Sequence, residues 1–388
     1  MSATPFSSDC VVVGASFAGL ACATSLARAG LSVRVLEKKA DPGEKLHTTG
    51  IIVKDAIDQI SLLDGLPPDL ARRIDGVRLY APSMRSIDLS APGYYFLATD
   101  TPRLMRWLAD RAVEAGAAID CGTAFTRAER LPSGFRLPGL GDTRFLVGAD
   151  GPNSTVARAL GLGRNTEFLF GLEHEYKGAA IPAPDRLHCF IDAKLAPGYI
   201  GWMLSGVGAV QVGLARRVSS RRIDIKAAMA AFVDKLAPIA DFRGTSPASV
   251  RAGLIPCGGV VRHAAARRAL LLGDAAGMVS PVTAGGIHTA LKHGLAAGHA
   301  IADFLAGRQD DPGIAFVATY PRYRAKRALR WCYDRFQSDL LFDLLLGTRA
   351  MRAAASIVYF HHKGVFDEAG PDDATRFARA SSPPAGHD

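Results

Sequence analysis

The stretch VVVGASFAGLAC at residues 11–22 constrains this chain more than any other. An apolar run turns sharply at Gly14 and continues into an alanine-rich segment, the opening of a βαβ unit whose turn can hold a phosphate. In the dinucleotide fingerprint G-x-G-x-x-G, the first glycine permits the tight turn and the second lets the backbone approach the pyrophosphate. The third lets helix and strand pack closely. Gly14 and Gly19 fill the outer positions here, and Ser16 stands in the middle. A hydroxymethyl group is a small addition, and with ordinary backbone angles its hydroxyl could donate to a phosphate oxygen. Residues 9–14 are expected as a strand, 17–29 as a helix, and LSVRVLE at 31–37 as a second strand ending in an acid. That acid, Glu37, follows Gly14 by 23 residues, close to the roughly 20 expected of a carboxylate that accepts from adenosine ribose hydroxyls. A negative charge there disfavours a 2′-phosphate, so the expected nucleotide half is ADP.

With 388 residues and 48% apolar content, the chain can bury a large core, and its length suggests two domains that could interleave. The six cysteines (10, 22, 121, 189, 257 and 332) form no C-x-x-C pair. Without a signal peptide, that pattern reads as a reduced cytoplasmic chain with buried thiols, lacking disulfides and structural zinc. The net charge of +9 is spread along the chain without a block of five or six like charges. No nucleic-acid partner is therefore expected, while attraction to anionic cofactors, substrates or a membrane surface fits. The most apolar long segment, DLLFDLLLGTRAMRAAASIVYF at 339–360, is interrupted by Asp343, Arg349 and Arg352. It could lie on a membrane but should not cross one.

Further along, DPGEKLHTTG at 41–50 reads as a loop, 77–91 as a hairpin and TPRLMRWLADRAVEAG at 101–116 as a helix. Short β-rich pieces (FIDAKL, GYIGWML, GAVQVGLA) fill 170–215, then a helix is expected near 222–236 and further helices over 311–360. The polar 365–388 reads as a disordered tail. The expected fold is α/β: a Rossmann-like dinucleotide-binding domain with an interleaved antiparallel-sheet substrate domain and a C-terminal helical segment. The expected boundaries are 1–76, 101–170 and 255–306 for the first domain, 77–100 and 171–254 for the second, and 307–364 for the helices.

Two more strand–turn–helix corners follow. RFLVGADGPNSTVARALGL at 144–162 ends its strand at Asp150-Gly151, and ALLLGDAAGMVSPVTAGGIHTALKHGLAAGHAIADFL at 269–305 ends its strand at Gly273-Asp274. In the second, Gly285 and Gly286 open a long helix, whose free N–H groups and positive dipole end suit a pyrophosphate or the electron-rich edge of a flavin. Asp274, at a strand end, can accept from ribityl hydroxyls.

Together, GASFAG, Glu37, GADGPNS and GDAAGMVSP…GGI resemble the FAD-dependent oxidoreductases of the aromatic-hydroxylase fold, and most of all the geranylgeranyl reductase family, over roughly residues 9–305. The resemblance implies a FAD pyrophosphate along Gly14, Ser16, Phe17, Ala18 and Gly19, with Glu37 and Lys38 at the adenosine ribose. Thr49 and Arg103 would stand by the cofactor, Asp274 at the ribityl chain, and Gly285, Gly286 and Ile287 at the flavin ring. Gly277 stands where the hydroxylases carry a histidine, which is similar to the reductases. GYIGWMLSGVG at 198–208 partly resembles their aromatic strand Y-x-W-x-F-P; Tyr199 and Trp202 could line an apolar substrate slot or fill a sheet core. The reductases often carry a cysteine in the loop after the ribose-binding acid, and here that loop reads EKLHTTGII without one. His47 is its only side chain of a type that titrates near neutrality, hence a candidate proton donor.

No metal site is expected from His288, His293 and His299, which lack i,i+4 spacing. No second nucleotide fingerprint is present, so NAD(P)H as reductant would bind transiently. The implied activity is reduction of a carbon–carbon double bond in an apolar, isoprenoid-like substrate with NAD(P)H-derived electrons. The alternatives are a FAD-dependent monooxygenase acting on an aromatic or apolar substrate, and a FAD-holding lipid-binding protein without turnover. Segment 339–360 could cover the substrate slot, pack on the FAD domain, or rest peripherally on the inner membrane face.

Overall fold

The computed structural model describes residues 7–219 and 224–360; the expected tail at 365–388 and the end of the helical segment at 361–364 lie outside the described residues. In chain order the strands are β1 (Ser8–Val13), β2 (Val33–Glu37), β3 (Ile51–Val53), β4 (Ala71–Ile74), β5 (Gly76–Tyr80), β6 (Ser86–Leu89), β7 (Phe96–Thr99), β8 (Ala118–Cys121), β9 (Glu129–Leu131), β10 (Gly134–Leu137), β11 (Gly141–Gly148), β12 (Phe168–Lys177), β13 (Arg186–Phe190), β14 (Gly201–Ser205), β15 (Ala209–Arg217), β16 (Ser249–Pro256), β17 (Ala265–Ala266) and β18 (Ala269–Leu271). The helices are α1 (Phe17–Arg28), α2 (Lys54–Gln59), α3 (Thr101–Glu114), α4 (Thr155–Leu160), α5 (Ile225–Leu236), α6 (Ile287–Leu305), α7 (Gly313–Val317), α8 (Arg324–Phe336), α9 (Asp339–Leu345) and α10 (Arg349–Phe360).

Two compact units result. The first combines residues 1–47, 101–170 and 253–335. Its sheet runs β17-β18-β11-β1-β2-β8, and from β18 to β8 every pairing is parallel, with Val12 opposite both Val147 and Val35. A central parallel strand is covered on both faces, and Cys10 through Val13 are accordingly buried. Helices α1 and α6 pack closely because both present small residues. A Cβ on Gly294 would meet the Ala18 carbonyl oxygen at 2.5 Å, and one on Gly298 would meet Ser25 Cβ at 2.4 Å. All six cysteines are free thiols; burial pushes Cys22 up to about 12, which makes it an inert core residue.

The second unit combines residues 48–100, 171–252 and 336 onward. Its main sheet runs β16-β12-β15-β14-β13-β5-β6. The expected hairpin is present as β5 and β6, with Leu79 opposite Ile87. The sheet is not wholly antiparallel as expected, since β5 and β13 pair in parallel, with Val77 opposite Leu187. That pair joins two chain segments that arrive separately, which is why alternation within either segment could not reveal it. FIDAKL stops being a strand at Phe190 because Asp192 Oδ1 accepts from the amides of Lys194 and Leu195 and turns the chain.

One face of this sheet is covered by α5, whose Met229, Phe232 and Leu236 join Phe190, Met203 and Val212 in one core cluster. The opposite face joins Leu187, Cys189 and Leu204 to Phe96 and Ala98 of a small sheet, β3-β7-β4, and to Leu346, Ala355 and Phe360 from the C-terminal helices. Residues 48–76, expected with the cofactor domain, therefore lie in the second unit: β7 is a four-residue strand whose partners on both sides, β3 and β4, come from that segment. The C-terminal helices likewise divide, 307–335 belonging to the first unit and 336–360 to the second.

Candidate functional site

In the first unit the βαβ turn is as tight as its glycines require. Gly14 has φ +103°, and a Cβ there would lie 2.4 Å from the Ala149 carbonyl oxygen. A Cβ on Gly19 would lie 2.0 Å from the Gly14 carbonyl oxygen, so α1 sits directly on the turn. Ser16 has ordinary extended angles, φ −95° and ψ 172°, and is the N-cap of α1. Its hydroxyl donates to the Ala149 carbonyl (2.9 Å) and accepts from the Gly19 amide (3.2 Å). The sequence expectation that this hydroxyl would donate to a phosphate is thus corrected: it joins the turn to the loop after β11. Phe17 and Ala18, in the first turn, keep backbone amides without intrahelical partners at the positive end of the helix.

Glu37 is buried at the end of β2 and accepts from the amides of Ala15 (2.9 Å) and Lys39 (3.0 Å), one at each carboxylate oxygen. Each oxygen retains lone-pair capacity for a ribose hydroxyl. Lys38 is exposed, while the Lys39 ammonium donates to the carbonyls of Pro42 and Glu44. Burial pulls Lys39 below the usual lysine range, against the neighbouring carboxylate of Glu37. The loop after β2 is pinned to α3 by Arg106, whose Nε donates to Asp41 Oδ2 (2.7 Å). Arg103 lies exposed one turn earlier on that helix. His47 is also exposed, its Cβ 2.6 Å from where a Cβ on Gly253 would stand.

At the third corner β18 runs into a 3-10 turn, Gly273–Ala276, ending at Gly277 with φ +72°. A Cβ on Gly277 would lie 2.3 Å from the Gly259 carbonyl oxygen, so no histidine fits there with this backbone. Asp274 is half-buried, and burial pushes its carboxyl up to about 6. A Cβ on Gly286 would come 3.8 Å from Asp274 Oδ1, which places the aspartate beside the N-terminus of α6. Gly286 caps α6 without a side-chain hydrogen bond, leaving the first-turn amides, Ile287 among them, available to an acceptor. A half-buried acceptor next to an uncapped helix start fits the ribityl chain and the polar edge of a flavin.

Three supporting residues had no sequence signal. Asn165 Nδ2 donates to the carbonyls of Pro152 (3.0 Å) and Asp274 (2.8 Å), tying two of the corners together. From α8, Tyr323 donates to the Met278 carbonyl (3.4 Å), and buried Arg330, paired with Asp334, reaches the Pro281 carbonyl (3.5 Å).

In the second unit Trp202 is more than core filling. Its ring crosses β15 over Gly213, where a Cβ would lie 2.3 Å from the ring atom Cζ2, and its Nε1 donates to Glu173 Oε2 on β12 (2.8 Å). Thr49 donates its hydroxyl to the same oxygen (2.6 Å), so its side chain is committed within this unit. Arg251 on β16 bonds Glu175 Oε1 (2.5 Å) and the Thr48 carbonyl (3.2 Å). Trp202 also packs on the apolar cluster of that sheet face, together with Ile51, Val53 and Ile200. Tyr199 lies half-buried in the turn before β14, its amide bonded to the Ala196 carbonyl. The alternation EHEYK could have shown Glu173 and Glu175 on one strand face, though not their partners.

Gly213→Ala should displace the indole from Glu173. The expected result is a shift in Trp202 fluorescence and a stability loss of about 1–3 kcal/mol from overpacking. An unshifted indole would mean that the ring does not depend on that space.

The sequence pattern of the family described as "FAD binding domain" matches residues 7–332. The chain is 30% identical to digeranylgeranylglycerophospholipid reductase 2 of Methanopyrus kandleri over 331 residues, which cover 80% of this chain and 81% of that one. Among solved structures, a geranylgeranyl bacteriochlorophyll reductase-like protein from Thermoplasma acidophilum superposes with a TM-score of 0.76 at 19% identity, covering 96% of this chain and 99% of the other. A probable FAD-dependent monooxygenase from Pseudomonas aeruginosa superposes with a TM-score of 0.63 at 18% identity, covering 88% and 100%. These two structural likenesses establish the shared fold.

Proposed function

The chain belongs to the FAD-binding-domain family and, within it, to the geranylgeranyl reductases, and on that premise we propose that it saturates a carbon–carbon double bond in an isoprenoid-bearing lipid with electrons from NAD(P)H. It is a FAD-dependent oxidoreductase. The observation that carries the finer reading is the 30% identity across four-fifths of both chains to a digeranylgeranylglycerophospholipid reductase.

The bound flavin, when reduced, supplies hydride chemistry. The amides of Phe17 and Ala18 hold the pyrophosphate, Glu37 takes the adenosine ribose, and Asp274 takes the ribityl hydroxyls. Gly285, Gly286 and Ile287 present the start of α6 to the ring, and Arg103 lies on α3, the helix that pins the loop after Glu37. In the second unit Trp202 lines an apolar layer suited to a polyprenyl chain, with Tyr199 at its entrance. His47 is exposed and would exchange protons with solvent rather than shelter one.

The deciding experiment is anaerobic. Protein reduced with NADPH or NADH and mixed with a geranylgeranyl-bearing phospholipid should return to the oxidised spectrum, with saturated lipid recovered by mass spectrometry. A flavin peroxide spectrum on mixing with oxygen, and no anaerobic reoxidation by lipid, would instead establish the monooxygenase reading. Bound FAD that neither nicotinamide reduces would favour a binding protein without turnover.

The lipid would be drawn from a membrane surface through α9 and α10. Among the described residues, no helix is long and apolar enough to cross a membrane. Leu340 and Leu344 of α9 are nevertheless 70% and 66% exposed, with Leu341 beside them and Arg349 and Arg352 following on α10. Exposed leucines next to arginines match an anionic lipid surface. Flotation with anionic vesicles should carry the protein upward, and Leu340→Ser with Leu344→Ser should weaken this about tenfold or more. Equal flotation of the double variant would remove α9 from the contact.

A further inference from the structure

We propose that Glu173 stores a proton inside the second unit and passes it, through the Thr49 hydroxyl, to the substrate carbon adjacent to the one that receives hydride; this rests on the reductase reading above. The starting point is a charge imbalance. The side chains of Glu173, Glu175 and Arg251 are only 5%, 17% and 9% exposed, and they bring two carboxylates to one guanidinium. One guanidinium balances one carboxylate, and a second negative charge in the same interior costs several kcal/mol unless it takes a proton.

The geometry decides which carboxylate that is. Arg251 gives one terminal nitrogen to Glu175 at 2.5 Å and the other to the Thr48 carbonyl at 3.2 Å. That second nitrogen lies 3.5 Å from Glu173 Oε1 but makes no hydrogen bond to it, and Oε1 is a buried atom without a hydrogen-bond partner. The groups facing Glu173 are Glu175 on its own strand, Arg251 on β16, Trp202 on β14 and Thr49. Gln211 on β15 gives its amide to Glu175 and the Thr49 carbonyl. Burial, the largest influence on Glu173, raises its carboxyl above the usual range, against the downward pull of Thr49, Trp202 and Arg251.

Thr49 is the outlet because it is partly exposed, whereas Glu173 is 4% exposed. In the structure Thr49 donates to Glu173 Oε2. With the carboxyl protonated at that oxygen the bond reverses, so Glu173 donates to Thr49 Oγ1 and the threonine's own proton is free to leave. Saturating the double bond consumes one hydride equivalent from reduced flavin and one proton. At Thr49 one O–H bond breaks and one forms, so the hydroxyl is regenerated. Glu173 is left as a carboxylate accepting from Trp202 and Thr49, and it regains a proton from water.

Infrared difference spectroscopy of the FAD-loaded protein at neutral pH should show a protonated carboxyl band that Glu173→Gln abolishes. Glu175→Gln frees Arg251 for Glu173, so the band should titrate away at lower pH. In prereduced protein, Glu173→Gln and Thr49→Val should slow anaerobic reoxidation by the unsaturated lipid about 100-fold, within the range of general acid catalysis. Retained FAD and an unchanged rate of flavin reduction by NAD(P)H would show both variants intact. Absence of the band, or wild-type reoxidation in Glu173→Gln, overturns the proposal; should that variant fail to fold, the Glu175→Gln titration and the Thr49→Val rate decide it. Failure of the lipid to reoxidise wild-type protein would instead overturn the reductase reading and the proton's destination, while the band would still report whether Glu173 holds a proton.

Discussion

Alanine at position 19 should produce a folded protein that has lost its FAD. The added Cβ would stand 2.0 Å from the Gly14 carbonyl oxygen and 3.2 Å from Ala149 Cβ, so α1 must move away from the turn that aims its first amides. Overpacking of this kind costs about 1–3 kcal/mol in stability, and amides turned away from a pyrophosphate should weaken FAD binding about 100-fold. Isothermal titration of the apoprotein with FAD, beside far-ultraviolet circular dichroism, separates the two effects. Ser16→Gly is the matching control. It restores the common fingerprint and removes a cap that glycine replaces at a cost of only a few tenths of a kcal/mol, so FAD should stay bound. An alanine-19 protein purified with full FAD would show that the contact of α1 with the turn does not set the phosphate site.

Asp274→Asn should move stability and cofactor affinity in opposite directions. The folded carboxyl at about 6 lies above its ordinary value of 3.8, so the folded chain holds this proton more tightly than the unfolded one. The resulting stability is complete below pH 3.8 and is lost as pH rises through about 6. The neutral asparagine removes that loss. Allowing for partial exposure, the apoprotein variant should be about 1–2 kcal/mol more stable than wild type above neutrality, a gain that disappears on acidification. Replacing a charged acceptor by a neutral one should weaken FAD about tenfold. Thermal melts across pH and FAD titrations test both halves. A variant with wild-type affinity and no pH-dependent gain would remove Asp274 from the ribityl position.

The cofactor side of this protein was legible because its information is local. Gly14, Gly19 and Gly277 must be glycine for reasons set within a few ångströms of their own backbone, and such demands appear as motifs. Glu37 and Asp274 stand at strand ends whose apolar runs announce them. Even there, a hydroxyl has several acceptors within reach, and only the fold showed that Ser16 gives its proton to the Ala149 carbonyl rather than keeping it for a phosphate.

The substrate side was legible in part. Trp202 stood out as an aromatic residue in a strand, but Glu173, Arg251 and Thr49 come from separate segments that meet only because the sheet orders its strands β16-β12-β15-β14. Periodicity within a strand tells which face a residue takes and says nothing about which strand lies next to it. The same limit explains the parallel pairing of β5 with β13 and the placement of residues 48–76. By itself the sequence determined the α/β class, the FAD-binding turn and the family, because backbone geometry and strand-end chemistry are written in neighbouring residues. The tertiary structure alone decided which buried charges share a guanidinium and which carboxyl is left without a hydrogen-bond partner, because burial and strand order are properties of the assembled chain.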